Sequence, residues 1–572
     1  MSVVEELKRL SEEYATRGLS RRAFARRAAA LGLSAPWIAA LAKGATAAPA
    51  PTWSAARRLA QADRATTLIV AVEGDVDTFD PAFTVNSKTA QTVIQNTFDQ
   101  LTQYQVVERT TPDGMPYRTV DTEQIIPMMC ESWTMDGADL VFTLREGLTF
   151  SNGDPIDSSV ILEGYRRIFE TKGISYFLLA MGGGVTDTSA FSAPDPKTFI
   201  ISMSRPNSLI PKNNVMHNTS AVNPAELEAH RTEADPWATE YFRQNLGIGN
   251  GPYRLDTYKP GDSITLVANE RYQGDQPAFT TVILKIVPEP VQRVQLLQKG
   301  EVDFATLIPV KYFDDLRSDP NLKVLSIPSR LLTLLEMNST IPPFDDKLVR
   351  QAVAYATPYQ AIINEVYKGQ AGEARSIIPH GMPTSDLAPS PYVEDVDRAQ
   401  ELLAQAGYPD GKGLPEIKLS TRVGDEQWER IAILTQAALR RIGMEVKIEP
   451  LAYAAFNELQ QGGRLQFWVD EFLAWVNDPF YQMSWMAAST SPVNWPRFKS
   501  DRVDELIAQY TLAEDGPERE AASKEAQEII NDACNYVYLC QPNWTVYTRA
   551  DVDGYVYYND ELPRYNLFQR TA

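Results

Sequence analysis

The chain's most legible feature is its alternation of apolar runs with amphipathic stretches. Thr67 to Val72 reads as an unbroken apolar run closed by Glu73-Gly74-Asp75, which predicts a buried strand. A helix is predicted from about Ser87 to Leu101, and Leu140 to Leu144 alternates as a strand. Asn152-Gly153-Asp154-Pro155 marks a turn before a helix from about Asp157 to Glu170. Further on, Asp345 is the predicted cap of a helix flanked by Phe344 and Val349, which could staple its start. Thr357, with Pro358 and Gln360 behind it, is the predicted cap of the next helix, which Gly369 stops. Asp397 with Gln400 opens another, over Arg398–Ala406, ended by Gly407 and Pro409.

From Glu416 the pattern becomes regular. Strands are predicted at Glu416–Ser420, Met444–Leu451 and Leu465–Phe472, with helices at Gln427–Ile442 and Ala454–Gln461 between them. Trp428, Ile431, Ala438 and Ile442 share one face of the first helix. A β-α-β-α-β run implies parallel strands with right-handed crossovers, so the fold class is α/β. Ligands of open α/β sheets sit beyond the carboxyl ends of the strands, which directs attention to the loop after Phe472.

Composition narrows the function. At 572 residues the chain exceeds what one hydrophobic core serves, so two or three substructures are expected. Net charge is −20; without residues 1–62, which hold 10 Lys/Arg and 4 Asp/Glu, 44 basic residues face 70 acidic ones and the charge is −26. Such a polyanion repels phosphates, which argues against nucleic acid as partner. The three cysteines, Cys130, Cys534 and Cys540, form no disulfide framework, although the last two are spaced so that a bridge is conceivable. With only His217, His230 and His380, a His-rich metal centre or a base-driven nucleophile has little material. No cofactor is implied. Asp75-x-Asp77-x-x-Asp80 lacks the spacing of a calcium loop and reads as a turn, and Gly182-Gly183-Gly184 lacks the Lys-Ser/Thr of a phosphate loop.

The first 62 residues form a separate unit of meaning. Ser20-Arg21-Arg22-Ala23-Phe24-Ala25-Arg26 precedes an apolar run from Ala28 to Ala42, too short for a membrane span. A basic region, an apolar stretch and then small residues make a secretory signal. The pattern resembles the twin-arginine signal at every specified position, which implies export by that machinery in a folded state. Ala45-Thr46-Ala47 and Ala60-Gln61-Ala62 are candidate cleavage sites, and the mature chain is expected in the periplasm as a monomer.

Several segments, in order, resemble the solute-binding proteins of peptide and nickel ABC importers, the family-5 or cluster C type. They are Thr78-Phe79-Asp80-Pro81, Asn96-Thr97-Phe98-Asp99-Gln100-Leu101, Glu131-Ser132-Trp133, and Phe142-Thr143-Leu144-Arg145-Glu146-Gly147 with Asn152-Gly153. They continue through Gly249-Asn250-Gly251-Pro252-Tyr253, Gly300-Glu301-Val302-Asp303, Pro343-Phe344-Asp345-Asp346 with Arg350-Gln351-Ala352, and Leu402-Leu403-Ala404-Gln405-Ala406-Gly407-Tyr408. The resemblance implies a type II periplasmic binding protein-like fold of two lobes joined by hinge strands, with an extra subdomain. By position, lobe I is about 66–102, 191–286 and 538–572, the subdomain about 103–190, and lobe II about 287–537. It also implies ABC permease and ATPase subunits at the inner membrane as partners, and a ligand enclosed by hinge closure.

Peptide-binding members hold the ligand's amino terminus with an aspartate four residues before a proline. Here Trp475-Val476-Asn477-Asp478-Pro479 places Trp475 at that position, so the carboxylate is replaced by a flat wall. Asn477 or Asp478 could substitute for the lost anchor, or cap the loop beside the proline. Glu336, a charged residue in an apolar strand, asks for a partner, either ligand or an ion pair inside its lobe. By alignment Asp75, Asp77, Thr306, Leu307, Leu331 and Phe472 fall at cleft positions. The leading reading is a receptor for a peptide-like or amino-acid-derived solute. An oligosaccharide receptor and a sensor subunit without transport are the alternatives. A secreted hydrolase would need a nucleophile, base and orienting group that the sequence does not display.

Overall fold

In the computed structural model, residues 64–571 are described, apart from 85, 86, 206 and 208. The export segment therefore lies outside the described residues. The backbone of the fold is a twelve-stranded mixed sheet. In chain order its strands are β1 (Thr67–Val72), β2 (Tyr253–Lys259), β3 (Ser263–Ala268), β4 (Thr281–Ile286), β5 (Phe304–Ala305) and β6 (Leu322–Pro328). They continue with β7 (Leu331–Met337), β8 (Ala371–Gly372), β9 (Ile417–Arg422), β10 (Val446–Leu451), β11 (Phe467–Leu473) and β12 (Tyr536–Arg549). The order across the sheet is β10-β9-β11-β7-β12-β5-β1-β4-β3-β2, with β6 and β8 also paired to β12. β12 is thus the long strand that ties the first-half strands to the second-half ones. Smaller sheets are built from Thr102–Thr110, Pro116–Pro127 and Val556–Tyr557, and from Cys130–Asp136, Asp139–Leu144, Thr198–Ser202 and Phe191–Asp195.

The predicted β-α-β-α-β run is present. β9 pairs in parallel with both β10 and β11, and helices Glu426–Arg440 and Tyr453–Gln461 make the crossovers. Trp428, Ile431, Leu439, Phe456 and Phe467 pack into one core against Val349 and Leu402. β1 is sealed on both sides, with Leu68, Val70 and Val72 in one core and Ile69 and Ala71 in another. A third core, around Phe142, Phe150, Tyr165 and Phe199, sits under the four-stranded sheet.

Helix starts shift by a residue or two from the sequence reading. Asp346, not Asp345, caps Lys347–Ala356 by accepting from the Leu348 N–H at 2.8 Å. Asp395, not Asp397, caps Val396–Gln405, accepting from Arg398 N–H at 2.9 Å. Thr357 does not cap the next helix: its hydroxyl turns back to donate to the Val353 carbonyl at 2.8 Å. The helix it was expected to start is one turn, Tyr359–Ala361, running into a wide π turn over Ile362–Val366. Ser87 and Asp157 do cap their helices, Lys88–Thr97 and Ser158–Thr171. Cys130, Cys534 and Cys540 are all free and buried, so the conceivable Cys534–Cys540 bridge is not formed.

Candidate functional site

The first part of the site is the helix Lys88–Thr97. Its N-cap Ser87 accepts from the Ala90 N–H, and the helix carries Gln91 and Gln95 one turn apart, hence on one face. The same helix grips the C-terminal segment at both ends. Asn96 donates to the Pro563 carbonyl at 2.8 Å and accepts from the Tyr565 N–H at 2.7 Å. Lys88 donates to the Asp560 carbonyl at 3.0 Å and pairs with Glu561 at 3.2 Å. Within that segment, Arg564 makes a two-pronged bridge to Asp560 (2.6 and 2.7 Å), and its guanidinium lies 3.8 Å from the Tyr558 ring centre.

The second part follows β11. Its end leads into the loop Ala474–Asp478, and Asp478 caps the helix Pro479–Met486 by accepting from Tyr481 N–H at 2.8 Å. Asp478 is held further by Arg519 at 2.5 Å, with both side chains nearly inaccessible. Asn477 donates its amide to Glu123. Both side chains therefore fix the loop, and what the loop presents is Trp475.

Trp475 and the first part meet at a pocket partly open to solvent, whose empty space with that open solvent included is about 870 Å³. Its lining includes Gln91, Gln95, Asp99, Tyr104, His217, Asn218, Tyr272, Trp475, Tyr558, Asn559, Asp560 and Arg564. The ionisable groups there are restrained. Burial pushes Asp99 up to about 7, against a hydrogen bond from Tyr272 and the charge of Arg145. Burial also lowers His217 to about 4, so its ring is neutral at neutral pH. Asp560, despite its burial, is held below the ordinary carboxylate range by Arg564. The cavity can therefore enclose a small solute between an aromatic wall and a set of polar side chains, most of them uncharged.

Of the ligand-binding candidates read from the sequence, Trp475 lines this cavity, and so do Asp99 and Gln100 of a family-like motif. Phe472, half-buried, packs beside Trp475 against Tyr104, Val215 and Tyr558, and Leu331 faces Leu473 across the β7–β11 ladder. Glu336 lies in the core, 3% exposed, and no ion pair to it is formed among the described residues. Burial and the neighbouring charge of Asp470 raise it well above the ordinary range, against a hydrogen bond from Trp468. Asp75 accepts from the Tyr258 hydroxyl (2.9 Å) and the Gly261 N–H (2.6 Å), and exposed Asp77 closes its own turn onto the Thr78 N–H (2.8 Å). Thr306 donates to Glu73 at 2.8 Å, and the Leu307 carbonyl accepts from Arg293 at 2.7 Å. These four shape loops away from the cavity lining.

Missed by the sequence reading were Gln91, Gln95, Tyr104, His217 and the segment from Tyr558 to Leu567. Only the i, i+4 pair of glutamines, buried with the rest of their helix, left a local trace.

With that geometry in place, comparison with known proteins is informative. The family profile described as bacterial extracellular solute-binding proteins, family 5 Middle, matches residues 124–494. The probable D,D-dipeptide-binding periplasmic protein DdpA of Escherichia coli (strain K12) is 27% identical over 500 residues, covering 86% of this chain and 91% of the relative. The glutathione-binding protein GsiB of the same strain is 25% identical over 417 residues, covering 70% and 78%. The periplasmic binding protein DppA of Helicobacter pylori, solved with the peptide STSA, shares the fold with a TM-score of 0.75 at 24% identity, covering 88% of this chain and 98% of its own.

Proposed function

The chain belongs to the bacterial extracellular solute-binding proteins of family 5, and from that membership we propose that it captures a peptide-like or amino-acid-derived small solute for an ABC importer. Capture takes place by closure of two lobes, and Trp475 forms one wall of the closed site. The observation that carries this reading is the cavity itself, where Trp475 faces side-chain amides from Gln91, Gln95, Asn218 and Asn559. Amides donate and accept, so they complement the N–H and C=O groups of an amide-bearing ligand. The names of the relatives, a D,D-dipeptide and a glutathione binder, support the same class.

Family members of this kind serve ABC permease and ATPase subunits outside the cytoplasm, and no helix of the described residues is long and apolar enough to cross a membrane. The chain reaches the periplasm through the twin-arginine route read from residues 20–26, works there as a monomer, and binds without turnover.

Isothermal titration of the mature chain with dipeptides, glutathione and malto-oligosaccharides tests the class. Binding of peptide-like compounds, with a rise in melting temperature by mass action, is expected. Binding of the sugars alone would overturn it.

A further inference from the structure

Seven buried polar atoms on the cavity wall have no hydrogen-bond partner: Gln95 Oε1, Asp99 Oδ1, the Tyr104 hydroxyl, both ring nitrogens of His217, Asn218 Oδ1 and Asn559 Nδ2. Their residues are between 1% and 9% exposed. Buried polar atoms are rarely left unpaired, and seven around one cavity mark where a ligand's polar atoms are received. The neighbouring bonds set what each atom offers. Gln100 donates to the Phe98 carbonyl at 3.0 Å, so its own oxygen takes the Gln95 amide nitrogen at 3.1 Å and the Gln95 oxygen is left for the cavity. Asn218 spends its nitrogen on the Pro81 and Thr84 carbonyls at 3.3 Å each, which leaves its oxygen in the same way. With Asp99 these make three acceptor oxygens against one amide donor, from Asn559, while Tyr104 and His217 can serve in either sense.

The charges sort in the same direction. The lining's other carboxyl, Asp560, is bonded at both oxygens to Arg564, at 2.6 and 2.7 Å. Arg145, whose field reaches Asp99, is exposed and gives its Nε to the Cys130 carbonyl at 3.2 Å. Asp99 takes a hydrogen bond from Tyr272, but its open oxygen has no counter-charge, which is costly for a buried carboxylate. Building on the peptide-like reading above, we propose that Asp99, with the side-chain oxygens of Gln95 and Asn218, receives a primary ammonium group of the solute. An ammonium brings three N–H donors to three acceptor oxygens, together with the positive charge that Asp99 lacks. Trp475, on the same lining, offers a ring face to that charge. A ligand carboxylate would be repelled by those oxygens and would find Arg564 already taken. An acylated nitrogen brings at most one N–H and no charge. The carboxylate absent at position 475 is thus supplied from another part of the lining, at the end of the helix that carries Gln95.

The test is calorimetry of the mature chain at neutral pH with Ala-Ala, N-acetyl-Ala-Ala and maltotriose, on wild type and on Asp99→Asn. Wild type is expected to bind Ala-Ala about tenfold or more tightly than the acetylated form, the size of a charge-assisted hydrogen bond. Asp99→Asn keeps the side chain's shape and an acceptor for Tyr272, and removes only the charge. Its melting temperature without ligand should be unchanged or higher, its affinity for Ala-Ala about tenfold or more lower, and its affinity for N-acetyl-Ala-Ala within about threefold of wild type. N-acetyl-Ala-Ala binding to wild type as tightly as Ala-Ala overturns the inference, and this comparison holds even if Asp99→Asn does not fold. Wild-type affinity of Asp99→Asn for Ala-Ala overturns it too, and either result leaves the peptide-like reading intact. Binding of maltotriose alone, or of none of the three, overturns that reading itself.

Discussion

Asp80 belongs to the turn that follows β1, and it is fully buried against Arg167 on the helix Ser158–Thr171. The two side chains form a two-pronged bridge at 2.8 and 2.6 Å, with side-chain exposures of 0% and 3%. Arg167 also donates to the Trp237 carbonyl at 3.1 Å and lies 5.0 Å from the Phe242 ring centre. Asp80→Asn preserves shape and an acceptor for the Ala82 N–H, which now bonds Oδ1 at 3.0 Å, but it removes the charge that neutralises Arg167. Breaking a buried pair on one side costs about 3–5 kcal/mol, because the remaining ion has no water. The exposed Lys412–Asp410 pair, at 3.4 Å with side chains 78% and 80% exposed, supplies the contrast: Asp410→Asn should change stability by less than about 1 kcal/mol. Urea unfolding followed by circular dichroism measures both. The double variant Asp80→Asn/Arg167→Met should lose less than the sum of its singles, by about 1–3 kcal/mol. An Asp80→Asn chain within about 1 kcal/mol of wild type would refute the reasoning, since Asp80 is the carboxylate bonded to both prongs of Arg167, while Asp235 acts on it only through its field.

Other outcomes follow from the same structure. Trp475→Ala should weaken solute binding by about 2 kcal/mol or more, read by calorimetry, as removal of a central aromatic wall does. Burial pushes Asp99 up to about 7 in the folded chain, against 3.8 for the solvent-exposed carboxyl of the unfolded one. The folded state therefore holds a proton that the unfolded state has lost, and this contribution to stability declines as pH rises from about 4 to 7, by up to about 1.4 kcal/mol per pH unit. His217, lowered to about 4, acts in the opposite sense below its ordinary value, so the readout is the difference between wild type and Asp99→Asn across that range. Burial pushes the thiols of Cys130 and Cys534 up to about 11 and 12, and that of Cys540 higher still. A thiol reagent should find no reactive cysteine in the native protein and three after denaturation.

What could be read from the sequence was whatever is local in it. The apolar run of β1 and the β9–β11 alternation carry their own periodicity, and the structure places both as expected. Caps were harder: Asp345 and Asp346 are chemically equal, and only the backbone turn decides which one accepts from Leu348. The candidate site was legible where a proline fixed the frame, since counting back from Pro479 reaches Trp475, which lines the cavity. Its opposite wall was not legible. Asn96 and the Pro563–Tyr565 backbone are 467 and 469 positions apart in sequence, and nothing local in either announces the other. Glu336 was legible as an acid in an apolar strand, but nothing local in the sequence announces the Asp470 and Trp468 that stand beside it.

The central claim is that this chain holds one small amide-bearing solute against Trp475. Native mass spectrometry of the protein isolated without denaturation, wild type beside Trp475→Ala, tests it most directly. A one-to-one complex with an amino-acid-derived compound, released on unfolding and depleted in Trp475→Ala, is the expected result. A sugar adduct, or an adduct retained equally by Trp475→Ala, would contradict it.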